Sequence, residues 1–166
     1  MDLTKKALEE LAQNAEKLKP EARKIFKKLK KKPPKELDFT VQSFHEETFT
    51  KINCLACANC CKTLGPRITD HDINRLGKYL KVRPGQLIEK YLRVDEDGDY
   101  VFKKMPCPFL MPDNYCMVYE ARPKACREYP HTDRKRFYQA LDITLKNMDI
   151  CPAVYEISRK LVVRYK

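Results

Sequence analysis

The residues with the clearest chemistry are cysteines, at Cys54, Cys57, Cys60, Cys61, Cys107, Cys116, Cys126 and Cys151 of a 166-residue chain. The first four spell C-L-A-C-A-N-C-C, a C-x-x-C-x-x-C-C run. A two-residue gap lets two thiolates face one ion while the intervening amides point toward the sulfurs, so C-x-x-C recurs in zinc and iron–sulfur sites. Three cysteines in this repeat with a distant Cys-Pro also match the spacing used for a four-iron cluster, and Cys-Pro occurs at Cys107-Pro108 and Cys151-Pro152. Soft thiolates suit zinc and iron alike, so the spacing points to metal without choosing which. Neighbouring side chains diverge, which places Cys60 and Cys61 in different sites and divides the eight thiolates into two four-Cys sites. The alternative is one four-Cys site plus redox-active thiols, activated by the nearby Lys62, Arg122, Lys124 and Arg127. Taken singly, a cysteine is a small buried hydrophobe, and Cys151 is the one to which that bland reading applies best.

Other groups carry weaker signals. His45, His71 and His131 are the three histidines; His71 reads as a surface residue, and His131, soon after Cys126, as the candidate for a supporting or proton-transfer role. Arg122 and Arg127 suit either neutralisation of a thiolate site or local pairing with Glu120 and Glu128. Asp95, Glu96, Asp97 and Asp99 lack EF-hand spacing and read as a solvated turn. The basic run Lys27–Lys35 reads as a solvated helix end; no aromatic residue is interleaved with it, which weakens a nucleic-acid platform. Neither G-x-x-x-x-G-K-[ST], G-x-G-x-x-G nor H-E-x-x-H occurs, so no catalytic machinery beyond a metal itself is legible.

The elements that must position these thiols are mostly helical. Leu3, Ala7, Leu8, Leu11, Ala15 and Leu18 recur at helical spacing, and Pro20 suits the start of a second helix with Ala22, Ile25, Phe26 and Leu29 on its apolar face. Residues 1–36 are therefore expected to form a basic helical hairpin, closed by Lys30-Lys31-Lys32 and Pro33-Pro34, ahead of a cysteine-cluster domain over 37–166. A short helix is expected over 37–50. Thr69 with Asp72 makes a capping box for a helix bearing Ile73, Leu76 and Leu80. Pro84 opens another through Leu87 and Leu92. Asp97-Gly98 turns a β-hairpin over 93–104, and Pro112-Asp113-Asn114 a second from Phe109 to Tyr119. Helices are expected around Cys126, over 134–148, and from Pro152 onward. The fold class is mainly α with one or two small β-hairpins, a Cys-rich domain stabilised by metal.

Composition bounds the rest. Leu, Ile, Val and Phe make up 39 residues, enough for a modest core. The formal net charge is +11. Residues 1–36 carry 12 Lys/Arg against 6 Asp/Glu, a basic balance that permits a nucleic-acid or acidic partner without establishing one. No apolar run reaches the ~18 residues of a membrane span, and MDLTKKALEELA lacks the apolar stretch of a signal peptide. A reducing, cytoplasmic setting follows, where clustered cysteines bind metal rather than form disulfides.

The ordered set Cys54-Leu-Ala-Cys57-Ala-Asn-Cys60-Cys61, Cys107-Pro-Phe-Leu110, Cys116-Met-Val-Tyr119-Glu-Ala-Arg122-Pro123 and Cys126-Arg-Glu-Tyr-Pro130 resembles the YkgJ-type CxxCxxCC cysteine-cluster family over about residues 50–152. The resemblance implies a zinc- or iron-chelating domain in which all eight cysteines are candidate ligands. It brings no defined reaction. Flagellin lysine N-methylases are similar in carrying this cluster but are much longer, and no methyl-donor region is evident here. The family's usual Gly before the double Cys is Asn59 here, a residue that also tolerates positive φ. The expected function is metal binding by zinc or iron through clustered thiolates. An iron–sulfur redox or protein-modifying enzyme, and a metal-scaffolded basic interaction module, are the alternatives.

Overall fold

The structure, a computed structural model, describes residues 5–166. Mainly helical with one two-stranded antiparallel sheet, it divides into two compact units: residues up to Cys57 with Pro130–Lys166, and Ala58–Tyr129.

In the first unit, α1 (Lys5–Lys31), α2 (Leu37–Phe49), α8 (Leu141–Asn147) and α9 (Pro152–Tyr165) surround one apolar core. Leu3, first of the expected stripe, lies outside the described residues. The expected hairpin is instead one 27-residue helix running straight through Pro20. The stripe explains why. Leu11, Ala15, Leu18, Ala22, Ile25 and Leu29 alternate steps of four and three without a phase break, and all but the partly buried Leu18 are buried. Splitting the helix would expose that seam, whereas Pro20 is exposed, so water can bond the carbonyl its missing N–H leaves open.

The expected helix over 134–148 is shorter than predicted. A 3₁₀ turn, Phe137–Ala140, precedes α8. Its entry is fixed from α2: the Asp38 carboxylate accepts the N–H groups of Arg136 at 2.7 Å and Phe137 at 2.9 Å, satisfying donors that a helix start leaves open. Pro152 sits at the first position of α9 as expected. Ala153, Val154, Ile157, Leu161 and Val162 form its buried face.

The second unit holds α4 (Asn59–Thr63), α5 (Asp70–Leu80), α6 (Pro84–Tyr91), β1 (Leu92–Val94), β2 (Tyr100–Phe102) and α7 (Lys124–Glu128). Ile68, Ile73, Leu76, Leu87, Leu92, Phe102, Phe109, Val118 and Ala121 form its core, with Cys107 and Cys116 packed against the edge. The Thr69–Asp72 capping box forms as read from the sequence. In the strand pair Leu92 faces Phe102 and Val94 faces Tyr100, and Gly98 turns the hairpin with φ 81°. Leu110 and Cys116 make a single antiparallel bridge, closed by Asn114 at φ 66°, so the second hairpin is a bridged loop without strands. Gly77 is required by a close approach: a Cβ there would stand 3.0 Å from the Val82 carbonyl oxygen. Among the described residues no helix is long and apolar enough to cross a membrane.

Candidate metal centre

Ala58 sets the geometry of the C-x-x-C-x-x-C-C run. The one-turn helix α3 (Cys54–Cys57) starts on Asn53, whose side-chain oxygen accepts the Leu55 N–H at 2.9 Å. Ala58 then adopts the left-handed conformation, φ 47° and ψ 19°, and α4 begins on the next residue. The positive φ of the motif falls on Ala58, one residue before Asn59. Left-handed backbone costs an alanine about 1–2 kcal/mol relative to right-handed, so the motif holds strain at the point where the chain is re-aimed between Cys57 and Cys60.

The second unit brings Cys60, Cys61, Cys107, Cys116 and Cys126 into one unit of the fold. The Cys107 N–H donates to the Cys61 carbonyl at 2.8 Å, tying the distal Cys-Pro segment to the double cysteine. From there the chain turns tightly: Leu110 N–H donates to the Cys107 carbonyl at 3.0 Å, and Met117 N–H to the Phe109 carbonyl at 2.8 Å. Two of these sulfurs are met by backbone donors. Phe109 and Leu110 N–H groups point at the Cys107 sulfur, and the Val118 N–H at that of Cys116. Such donors favour thiolate over thiol.

Four of the sulfurs feel one another in every pairing. Cys126 feels the charges of Cys107, Cys61 and Cys116; Cys107 feels Cys61 and Cys116; Cys116 feels Cys61. Burial pushes the Cys126 thiol up to about 12, and its thiol neighbours add to this while Arg122 opposes. Burial likewise pushes Cys107 up to about 11 and raises Cys116. Cys61 moves the other way, to about 7: a hydrogen bond from Cys60 lowers it, burial opposes, and the Lys62 charge helps. Both residues lie in the single turn of α4.

A buried carboxylate holds the Cys126 segment in place. Asp72, 1% exposed, accepts from the Thr69 N–H and hydroxyl on one oxygen and from the Lys124 N–H at 3.0 Å and Arg75 at 2.6 Å on the other. Arg75 donates onward to the Ala121 and Arg122 carbonyls. Burial by itself would raise the Asp72 carboxyl, but the bonds from Thr69, Lys124 and Arg75 together hold it below the usual range. The sequence marked Asp72 only as a cap; a basic residue three positions on, at Arg75, was the signal for its second role.

The remaining candidates fall elsewhere. Cys54, Cys57 and Cys151 belong to the first unit; Cys57 is buried, Cys54 exposed, and Cys151 half-buried against that unit's apolar core. His45 sits 2.7 Å from the Thr132 hydroxyl and against the Phe49 ring, and His71 is exposed. Asp95 accepts the Asp97 and Asp99 N–H groups, and Asp99 pairs with Arg67 at 2.9 Å, which makes the acidic tip an internally bonded turn. Arg122 stacks on the Tyr119 ring, 3.8 Å from its centroid, and Glu128 pairs with Lys124 at 3.7 Å. No disulfide links the described cysteines. Among the described residues no three His, Cys, Asp or Glu side chains stand close enough, as placed, to hold one ion. The centre is thus a neighbourhood of thiols rather than a closed cage, and its donor set of four soft sulfurs with backbone N–H support fits zinc or iron.

Comparison with known proteins agrees with this chemistry. The model of the CxxCxxCC family, described as "putative zinc- or iron-chelating domain", matches residues 53–152. The chain belongs to that family. It is also similar to "Uncharacterized protein MJ0661" of Methanocaldococcus jannaschii, with 28% identity over 87 residues, covering 51% of this chain and 47% of that protein. The chain thus spans about half the length of that relative. No solved structure matches it.

Proposed function

We propose that this CxxCxxCC chain is a thiolate metal chelator in which Cys61, Cys107, Cys116 and Cys126 form one ligand set for zinc or iron. What supports this reading is that these four thiols share the second unit and each feels the charge of the other three, with backbone N–H groups aimed at two of them. Four thiolates saturate a tetrahedral ion and leave no position for water or substrate, the pattern of a structural or storage site. Eight cysteines divided in fours would carry two ions per chain.

The test is anaerobic purification followed by elemental analysis and a visible absorption spectrum. Two zinc or iron atoms per chain are expected. Cys116→Ser and Cys126→Ser are each expected to remove one. Full metal content in both variants would refute the ligand set. An absorption spectrum that cycles with redox state in the presence of a substrate would replace chelation with catalysis.

A further inference from the structure

One end of the first unit gathers charge that the sequence distributes over two distant segments. The end of α1 and the link after it supply Lys27, Lys28, Lys30, Lys31, Lys32 and Lys35, all exposed. Residues 134–136 add Arg134, Lys135 and Arg136, also exposed. Two contacts hold the segments together. Asp38, in the first turn of α2, takes the Arg136 and Phe137 N–H groups, and Lys30 at the end of α1 pairs with Asp142 at the start of α8. Four carboxylates accompany the nine cations: Glu36, Asp38, Asp133 and Asp142. The balance is 9 − 4 = +5. Two of the four are already engaged, Asp38 by backbone donors and Asp142 by Lys30. Among the described residues, Lys30 alone of these nine cations pairs with a carboxylate.

An exposed aromatic ring follows the lysine run at the start of α2. Phe39, next to Asp38 and four residues after Lys35, is 78% exposed, the highest exposure of any large apolar side chain among the described residues. Its neighbours Leu37 and Val41 are 1% exposed, so the rest of the α2 face is used and Phe39 is left out of the core. The sequence reading discounted a nucleic-acid platform because no aromatic interrupts the lysine run. The fold supplies one beside it and adds a second basic segment.

We propose that this surface binds single-stranded nucleic acid, the cations tracking phosphates and Phe39 stacking on a base. Fixed positive charge with an exposed ring is the pairing such strands recognise, because every base has a π-face and every linkage a charge. One isolated aromatic suits one stacked base, whereas a membrane anchor needs a wider apolar face. The proposal lies wholly within the first unit and is independent of the metal reading.

The test uses the full metal-loaded chain and fluorescence anisotropy with a labelled 15-nucleotide oligouridine. About five phosphates neutralised on a single strand give a slope of log K against log salt near −3.5. Phe39→Ala is expected to weaken binding about tenfold or more, and its exposure keeps folding intact, checked by circular dichroism. A K32Q/K35Q/K135Q variant should flatten the slope by about 2. A control K78Q/K90Q/K104Q variant, which removes equal charge from the second unit, should leave affinity within about twofold. Equal losses in both triple variants would reduce the effect to net charge and overturn the proposal. An unchanged Phe39→Ala would overturn the stacking role, and so would tighter binding to a duplex of equal length. Binding to anionic vesicles with none to oligouridine would assign the surface to a membrane instead.

Discussion

Replacing Asp72 tests whether the Cys126 segment is anchored by a buried carboxylate or by its own packing. Asp72→Ala removes a cap on α5, worth about 1 kcal/mol. It also strands the Lys124 N–H and leaves Arg75 without its carboxylate. Removing one partner of a buried pair costs about 3–5 kcal/mol. The Arg75 side chain is 32% exposed and recovers part of that from water, so the expected total is about 3–4 kcal/mol. For a chain of this length that lowers Tm by roughly 6–16 °C. The sign with pH follows from the depressed carboxyl. The unfolded chain binds the proton more readily, so this stabilisation is complete above the ordinary aspartate value near 3.9 and fades as pH falls through the lower folded value. Asp72→Asn keeps the shape and loses the charge, so it should destabilise at neutral pH by about half as much and abolish this acid-limb dependence. Thermal melts of the metal-loaded protein at pH 7 read the first effect, and melts of the metal-free protein at pH 7 and below pH 4 read the second. An Asp72→Ala protein melting within 2 °C of the parent at pH 7 would refute the anchor, since Tm shifts by about 2–4 °C per kcal/mol.

Three further outcomes follow from the same geometry. Phe109→Ala deletes a side chain 1% exposed that meets the Tyr91 and Phe102 rings at 5.0 and 5.6 Å; denaturant melts should show a loss of about 3–5 kcal/mol, and a loss under 1 would contradict the core assignment. Pro20→Ala restores an N–H at an exposed position of α1 and should stabilise by about 1–3 kcal/mol in the same assay, whereas destabilisation would argue for a break at that position. Cys107 and Cys126 hold their protons up to about 11 and 12 and must release them to bind metal, so zinc affinity measured by competition should rise steeply with pH from 6 to 8; a flat profile would remove these thiols from the ligand set.

Helices with one-sided apolar spacing and explicit caps were legible from sequence: Thr69 with Asp72, Pro84 and Pro152 all begin helices where their chemistry says they should. Pro20 was misleading because a residue's local preference was weighed above the phase of the stripe around it. The steps from Leu11 to Leu29 never break, and tertiary burial overrides one missing hydrogen bond. The candidate ligands were legible as residue types, since C-x-x-C spacing is itself a metal-ligand pattern. Their grouping was not, because it depends on where Ala58 re-aims the chain and on the Cys107–Cys61 backbone bond, neither of which has a sequence signature. Asp72 and Arg75 were half legible: the cap is local, while the bonds to residues 121–124 span about fifty positions of chain.

The second unit also changes what metal is needed for. The sequence pointed to a Cys-rich domain stabilised by metal. Nine apolar side chains in fact form a core there, with Cys107 and Cys116 at its edge. Phe109 and Val118 are each 1% exposed, and they sit two residues after Cys107 and Cys116 respectively. The N–H groups of those same two residues are the ones aimed at the sulfurs. Burying the side chain and presenting the amide are therefore one conformational event in each turn. The apolar core holds the backbone donors in place, and on the proposed ligand set a bound ion would relieve the repulsion among the buried thiolates. Metal and core would then stabilise the same turns, so removing the ion should loosen the thiol loops while α5, α6 and the hairpin keep the contacts that Leu76, Leu87 and Leu92 already make.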